Sequence, residues 1–324
     1  MKVLITGVTG LLGGALAQDF KQKGIDVFGL VRPDQAVKDI TCREGDIMDI
    51  HSLTEAMEGM DYVIHAAAIV SFSPKDRPAM YQVNVEGTAN VVNAALTMPN
   101  IKKVIFISSI AALGRPAQHV GNLVIQEDQK WEESPHNSHY AITKFQAECE
   151  VWRAHAEGLP VLIFNPTIVL GEGNWTRSSA QLFKYVYDER PFFTSGFLNY
   201  VDIKDLCQVI WLGIQSPLTG ERFIVNGGQI TYQSFFQKVA QSFQRKAPSI
   251  QIIKPWLSIL WRLEAIRSFI TGNAPLITRE TATSASLKLS YPSTKLQNAF
   301  SIEFTPIDQT IQRVTSYFMT KQRL

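Results

Sequence analysis

Cysteine is scarce in this chain of 324 residues: Cys42, Cys149 and Cys207 are the three present, odd in number and far apart. Such a set offers neither a disulfide framework nor the close spacing of a metal site, and it suits a reducing compartment. Long apolar runs are missing too. None reaches the ~20 residues needed to span a bilayer. The first strand pattern starts at Lys2, which leaves no stretch for a signal peptide. A cytoplasmic protein is expected. Charge of either sign is not in excess: the net value is +2, with no basic run and no acidic tail, so neither nucleic acid nor a membrane is an expected partner. Internal repeats and low-complexity segments are also lacking. What is there is an ordinary globular mixture, in a chain long enough for a large domain with a smaller companion.

The most informative stretch is Thr6-Gly7-Val8-Thr9-Gly10-Leu11-Leu12-Gly13. Val3-Leu4-Ile5 before it reads as a buried strand. After it, Leu12, Ala15, Leu16 and Phe20 recur at helical spacing, and Gly24 follows as a stop. A strand thus turns into a helix across Gly7, Gly10 and Gly13. Residues without a Cβ let the backbone bend sharply and approach a ligand. The helix start presents unpaired N–H groups and a partial positive charge, a seat for a pyrophosphate. The glycine spacing is a variant of the G-x-G-x-x-G dinucleotide fingerprint.

Further apolar strands are expected over 25–31, in a weaker segment ending near Cys42, and over 62–65, 104–107 and 161–164. Helical patterns over 52–57, 80–96 and 139–156 lie between them. This alternation predicts an α/β fold with a doubly wound parallel sheet, whose ligands bind beyond the carboxyl ends of the strands. Arg32 follows the second strand, where an NAD site often carries a carboxylate. A guanidinium suits a 2′-phosphate, which favours NADP, and Asp34 keeps NAD open. Asp46 and Ile47 follow the third strand: Asp46 can accept from an adenine amino group while Ile47 packs on the ring, or Asp46 can cap the next helix. Ala66, Ala67 and Ala68 let a cofactor lie close to the backbone, and His65 before them reads as structural. Asn84 reads as a cap or a buried polar pin.

Ser108-Ser109 ends the fifth strand, and Tyr140 and Lys144 share one face of a later helix. A phenol titrates near 10 unaided, and a nearby ammonium lowers that value. Tyr140 can then pass a proton to or from a substrate oxygen that a serine hydroxyl holds.

Taken in order, Thr6–Gly13, Gly45-Asp46-Ile47, His65–Ala68, Asn84–Thr88, Ser108–Gly114, Tyr140–Lys144, Asn165-Pro166-Thr167 and Tyr200-Val201-Asp202-Ile203 resemble the extended short-chain dehydrogenase/reductase family over about the first two-thirds of the chain. The resemblance implies a Rossmann dinucleotide-binding domain over 1–165, to which about 198–226 return, and a mainly substrate-binding remainder over 166–324. It implies that Gly7, Thr9, Gly10, Leu11, Leu12 and Gly13 hold the cofactor, that Ser109, Tyr140 and Lys144 are catalytic, and that Lys144 also holds the nicotinamide ribose. Pro166, Thr167 and Ile168 look like the segment beside the nicotinamide. It further implies a homodimer through the helices over 80–96 and 139–156.

Within the family, Val31-Arg32 and Ser108-Ser109-Ile110-Ala111 look most like the dihydroflavonol-reductase and 3β-hydroxysteroid-dehydrogenase branch. The expected activity is NADP-dependent oxidoreduction of a ketone or secondary alcohol. Two rivals stand beside it: a nucleotide-sugar epimerase with tightly held NAD, and a cofactor-binding protein without turnover. Phe164-Asn165-Pro166 resembles an epimerase segment whose Asn meets a diphosphate, although Pro also shapes the residue before it. The acidic pair of the dehydratases is missing from Ile110-Ala111-Ala112. In the second half, 198–205 and 221–225 are expected to return to the large sheet. Helices are expected over 231–243 and 307–318, and the apolar stripe over 256–270 reads as a lid, a pocket wall or plain core.

Overall fold

The alternation of apolar strands and amphipathic helices folds into one seven-stranded sheet. Its strands are β1 (Lys2–Thr6), β2 (Asp26–Val31), β3 (Thr41–Glu44), β4 (Tyr62–His65), β5 (Lys103–Ile107), β6 (Val161–Pro166) and β7 (Glu221–Val225). All neighbours are parallel, in the order 3-2-1-4-5-6-7. The computed structural model describes residues 1–33, 35–117, 123–175, 179–252 and 289–322. Asp34 and the 256–270 stripe therefore lie outside the described residues.

Both faces of the sheet are covered, which is why its strands are nearly unbroken apolar runs. Val3 and Ile5 face one core, shared with α1 (Leu11–Gln22) and α5 (Ile203–Gln215). Leu4, between them, faces the other, shared with α2 (Ile50–Met57), α3 (Gly87–Leu96) and α4 (His139–Ala156). Lys103 is a charge in this interior. Its Nζ donates to the Gly213 and Ser216 carbonyls, at 3.0 and 2.6 Å, and so satisfies the last turn of α5. The strand order reverses between β1 and β4, which opens a crevice above their carboxyl ends.

Three expectations need correction. The weak third strand runs on to Glu44, where it keeps pairing with β2. The helix over 80–96 is interrupted by a π-helical turn at Gln82–Glu86, from which the Asn84 side chain bonds the Ile69 backbone. Phe197–Asp202 does not join the large sheet. Glu221–Val225 takes the place beside β6, so Phe197–Asp202 pairs instead with Ile168–Leu170 and Gly228–Thr231 in a separate three-stranded sheet.

That small sheet packs with the helices Ala180–Tyr187, Tyr232–Phe243 and Ile307–Gln322 over an aromatic core that includes Phe183, Phe235 and Phe318. Thr231 caps the second of these helices, accepting from Ser234 N at 3.1 Å. Fully buried Asp202 ties the last one down, accepting from Thr310 Oγ1 at 2.5 Å and from Arg313 Nη2 at 2.9 Å. Among the described residues no helix is long and apolar enough to cross a membrane.

Candidate active site

The glycine turn closes against the end of β4. Gly7 has φ +72°, and a Cβ there would lie 2.7 Å from Ala67 N. A Cβ on Gly13 would lie 2.2 Å from the Gly7 carbonyl oxygen. Only hydrogen fits at either place. Gly10 is the N-cap of α1, with no side-chain cap and no acid in the first turn. The helix therefore starts with no carboxylate of its own first turn to compete for its N–H groups, and the cradle fits a dinucleotide pyrophosphate. Thr9 is exposed at the turn, with Leu11 and Leu12 half-buried behind it.

Around this cradle, Ala66 and Ala67 are half-buried and Ala68 is exposed. Arg32 is exposed just past β2. Asp46 is half-buried and accepts from Met48 N at 2.9 Å. It does not cap α2: Asp49 does, accepting from His51 N at 3.0 Å. Ile47 packs where a Cβ on Gly87 would meet its Cδ1 at 2.7 Å. Pro166 and Thr167 are buried at the end of β6, and Ile168 is half-buried.

His65 is structural. Its Nδ1 lies 2.7 Å from Thr6 Oγ1 and its Nε2 lies 3.0 Å from Thr88 Oγ1. Thr88 already donates to the Asn84 carbonyl at 2.6 Å, so the bonds close with Nε2 protonated and Nδ1 accepting. Burial pulls its pKa down to about 3, and the charge of Lys144 adds to the effect. Asn84 is the buried pin, donating to Thr143 Oγ1 at 3.0 Å as well as to Ile69.

The reaction centre forms where β5 ends against the start of α4. Ser138 caps α4, accepting from Ala141 N at 3.0 Å, and so fixes the turn that carries Tyr140. Lys144, one turn on and 1% exposed, donates from Nζ to the Ile107 carbonyl at 2.8 Å and sits 4.2 Å from the centre of the Phe106 ring. Burial pulls it down to about 7, against the carboxylate of Glu148, which favours its cation. The hydroxyl of Ser109, two residues past Ile107, accepts from Ala111 N at 3.2 Å and lies beside the Tyr140 phenol.

Tyr140 departs from the sequence argument. Its pKa is raised to about 12, not lowered. Loss of hydration outweighs the hydrogen bond to Ser109, and the Lys144 amine is held on a backbone carbonyl instead of against the phenol. Phe72, from the loop after β4, meets the Tyr140 ring edge-to-face at 6.5 Å.

Glu148 was missed, although its spacing is visible: Tyr140, Lys144 and Glu148 follow at every fourth position of α4. It is 1% exposed, and its carboxylate accepts from Ser108 Oγ, Asn165 Nδ2 and Arg222 Nη1. Asn165 also donates to the Ser109 carbonyl at 2.9 Å.

The sequence model of the NAD dependent epimerase/dehydratase family matches residues 3–226. Sterol demethylase protein B of Methylococcus capsulatus is 28% identical over 261 residues, 78% of this chain and 77% of that one. Cinnamoyl-CoA reductase 1 of Petunia hybrida is 29% identical over 242 residues, 68% and 71% of the two chains. Among solved structures, UDP-glucuronic acid 4-epimerase of Bacillus cereus, in complex with UDP-glucuronic acid and NAD, superposes with a TM-score of 0.76 at 17% identity, over 99% of this chain and 100% of that one.

Proposed function

The chain belongs to the NAD-dependent epimerase/dehydratase family, within the extended short-chain dehydrogenases/reductases, and from that premise we propose that it is an NADP-dependent reductase of a ketone. One observation carries the reading: the Tyr140 phenol, the Ser109 hydroxyl beside it, and Lys144, anchored on Ile107, converge at the end of β5. When bound, the dinucleotide supplies the hydride.

The protein's own residues do the rest. The glycine turn and the start of α1 hold the pyrophosphate, Arg32 takes the 2′-phosphate, and Lys144 holds the nicotinamide ribose. Ser109 orients the substrate oxygen, and Tyr140 gives it a proton. A phenol raised to about 12 stays protonated at neutral pH. In that form it can give its proton to a developing alkoxide. The apolar edge of Phe72 beside Tyr140 suits a ketone with an apolar substituent.

The rival reading is a nucleotide-sugar epimerase, the activity named for the Bacillus cereus neighbour. Asn165 weighs against it, since its amide hydrogens are committed to the Ser109 carbonyl and Glu148. Loss of nicotinamide absorbance on mixing the protein, NADPH and a panel of ketones tests the proposal. Turnover that stops in Tyr140→Phe supports it. An isolated protein already carrying NAD, active on a sugar nucleotide and inert with every ketone, would favour the epimerase. We further propose a homodimer packed through the helical segments over 80–96 and 139–156, which a monomeric mass in solution would refute.

A further inference from the structure

Lys144 brings an amine into a site that strips most of its water, and a cation there needs an anion close by. Glu148 is one helical turn further along α4 and equally buried. It is fixed from three sides. Oε1 accepts from Ser108 Oγ at 2.5 Å and from Asn165 Nδ2 at 2.5 Å, and Oε2 accepts from Arg222 Nη1 at 3.0 Å. Arg222 is itself held on the Glu127 carbonyl through Nε and Nη2. Each partner belongs to a different part of the sheet. Ser108 precedes Ser109 after β5, Asn165 precedes Pro166 in β6, and Arg222 lies in β7.

We propose that Glu148 is a positioning residue for Lys144: an anion locked to β5, β6 and β7 that keeps the Lys144 amine cationic and in register with the strand ends flanking the site. The proposal rests on the reading of Lys144 as part of the reaction centre. The other groups around Lys144 do not supply this charge. His65, from β4, is held neutral, and Tyr140, one turn back on α4, stays protonated. Arg222, beyond the carboxylate, is a like charge. A Glu148–Arg222 pair that serves the sheet edge alone, too far from Nζ to act on it, leaves the Lys144 midpoint in place when either partner is removed. An anion that serves Lys144 makes the two partners opposite in effect: loss of Glu148 disfavours the lysine cation, whereas loss of Arg222 favours it.

The test is an NMR titration of Lys144 in the full chain carrying ¹³C-labelled lysine, with Lys144→Arg to assign the signal. In Glu148→Gln the midpoint falls by about one pH unit or more, and in Arg222→Gln it rises. A midpoint unchanged in folded Glu148→Gln, or two variants that shift in the same direction, overturns the proposal. Should Glu148→Gln not fold, Arg222→Gln decides alone, and a midpoint that stays or falls contradicts the idea. No substrate enters this measurement, so a protein inert with every ketone would defeat the reductase reading and leave the titration result standing. With an active ketone in hand, the alkaline limb of the pH–rate profile moves to lower pH in Glu148→Gln by the same amount.

Discussion

The two walls of the crevice are built from opposite materials. On the β1–β4 side the buried polar groups are neutral and paired in a chain, with His65 linking Thr6 to Thr88, and the surface above them is bare backbone around three glycines. On the β5–β7 side the buried groups are charged: Lys144, Glu148 and Arg222, stitched by Ser108 and Asn165. Neutral pairs cost little to keep buried and suit a rigid cradle whose task is to lie close to a ligand. Buried charges are expensive, and they make sense where a proton has to be managed.

If the charged wall does the chemistry, Tyr140→Phe lowers turnover about 10²–10⁴-fold and leaves dinucleotide affinity intact, as measured by NADPH fluorescence titration beside steady-state rates. The cradle should fail in the reverse way. Gly13→Ala pushes a methyl into the Gly7 carbonyl, so dinucleotide binding is lost and stability drops by about 1–3 kcal/mol, checked by the same titration and by thermal melting.

The neutral wall is also the acid-sensitive one. His65 titrates at 6.5 unfolded and at about 3 in the fold, so the unfolded chain takes up the proton first. Stability from this residue is complete above pH 6.5 and falls, by up to about 1.4 kcal/mol per pH unit, as the pH drops toward 3. His65→Gln should flatten that acid limb in melts between pH 4 and 7, while costing about 1–3 kcal/mol at neutral pH through the threonine hydroxyls it leaves poorly paired.

Lys144 has a linkage of the same sign, set at higher pH. Its folded value of about 7 lies below the ordinary 10.5, so stability falls as the pH drops from 10.5 toward 7. Lys144→Met should therefore raise neutral-pH stability by about 1–2 kcal/mol while removing turnover. A destabilised, active Lys144→Met would erase the contrast between the walls. The smallest effect is expected at the rim: Arg32→Ala weakens NADP about tenfold in paired titrations and leaves NAD unchanged.

The two walls were not equally legible. The cradle is local: Val3-Leu4-Ile5, Gly7, Gly10, Gly13 and the stripe of α1 lie within one strand–turn–helix unit, and sequence spacing captures such a unit. Tyr140 and Lys144 were visible for the same reason. The charged wall is assembled from Ser108, Glu148, Asn165 and Arg222, and no short-range pattern pairs residues that far apart. The direction of the Tyr140 shift depends on how much water reaches the phenol, which spacing does not carry. The contact between Asn84, in the π turn at Gln82–Glu86, and Ile69 is made from a separate loop. Phe197–Asp202 is apolar enough for either sheet, and competition from Glu221–Val225 for the edge of β6 decides between them.

The measurement that bears most directly on the account is a crystal structure of the protein with NADP. The account predicts the pyrophosphate over Gly7, Gly10 and Gly13, the 2′-phosphate at Arg32, and the nicotinamide ribose on Lys144, with the nicotinamide beside Tyr140. A dinucleotide bound away from the glycine turn, or a nicotinamide end remote from Tyr140 and Lys144, would contradict it.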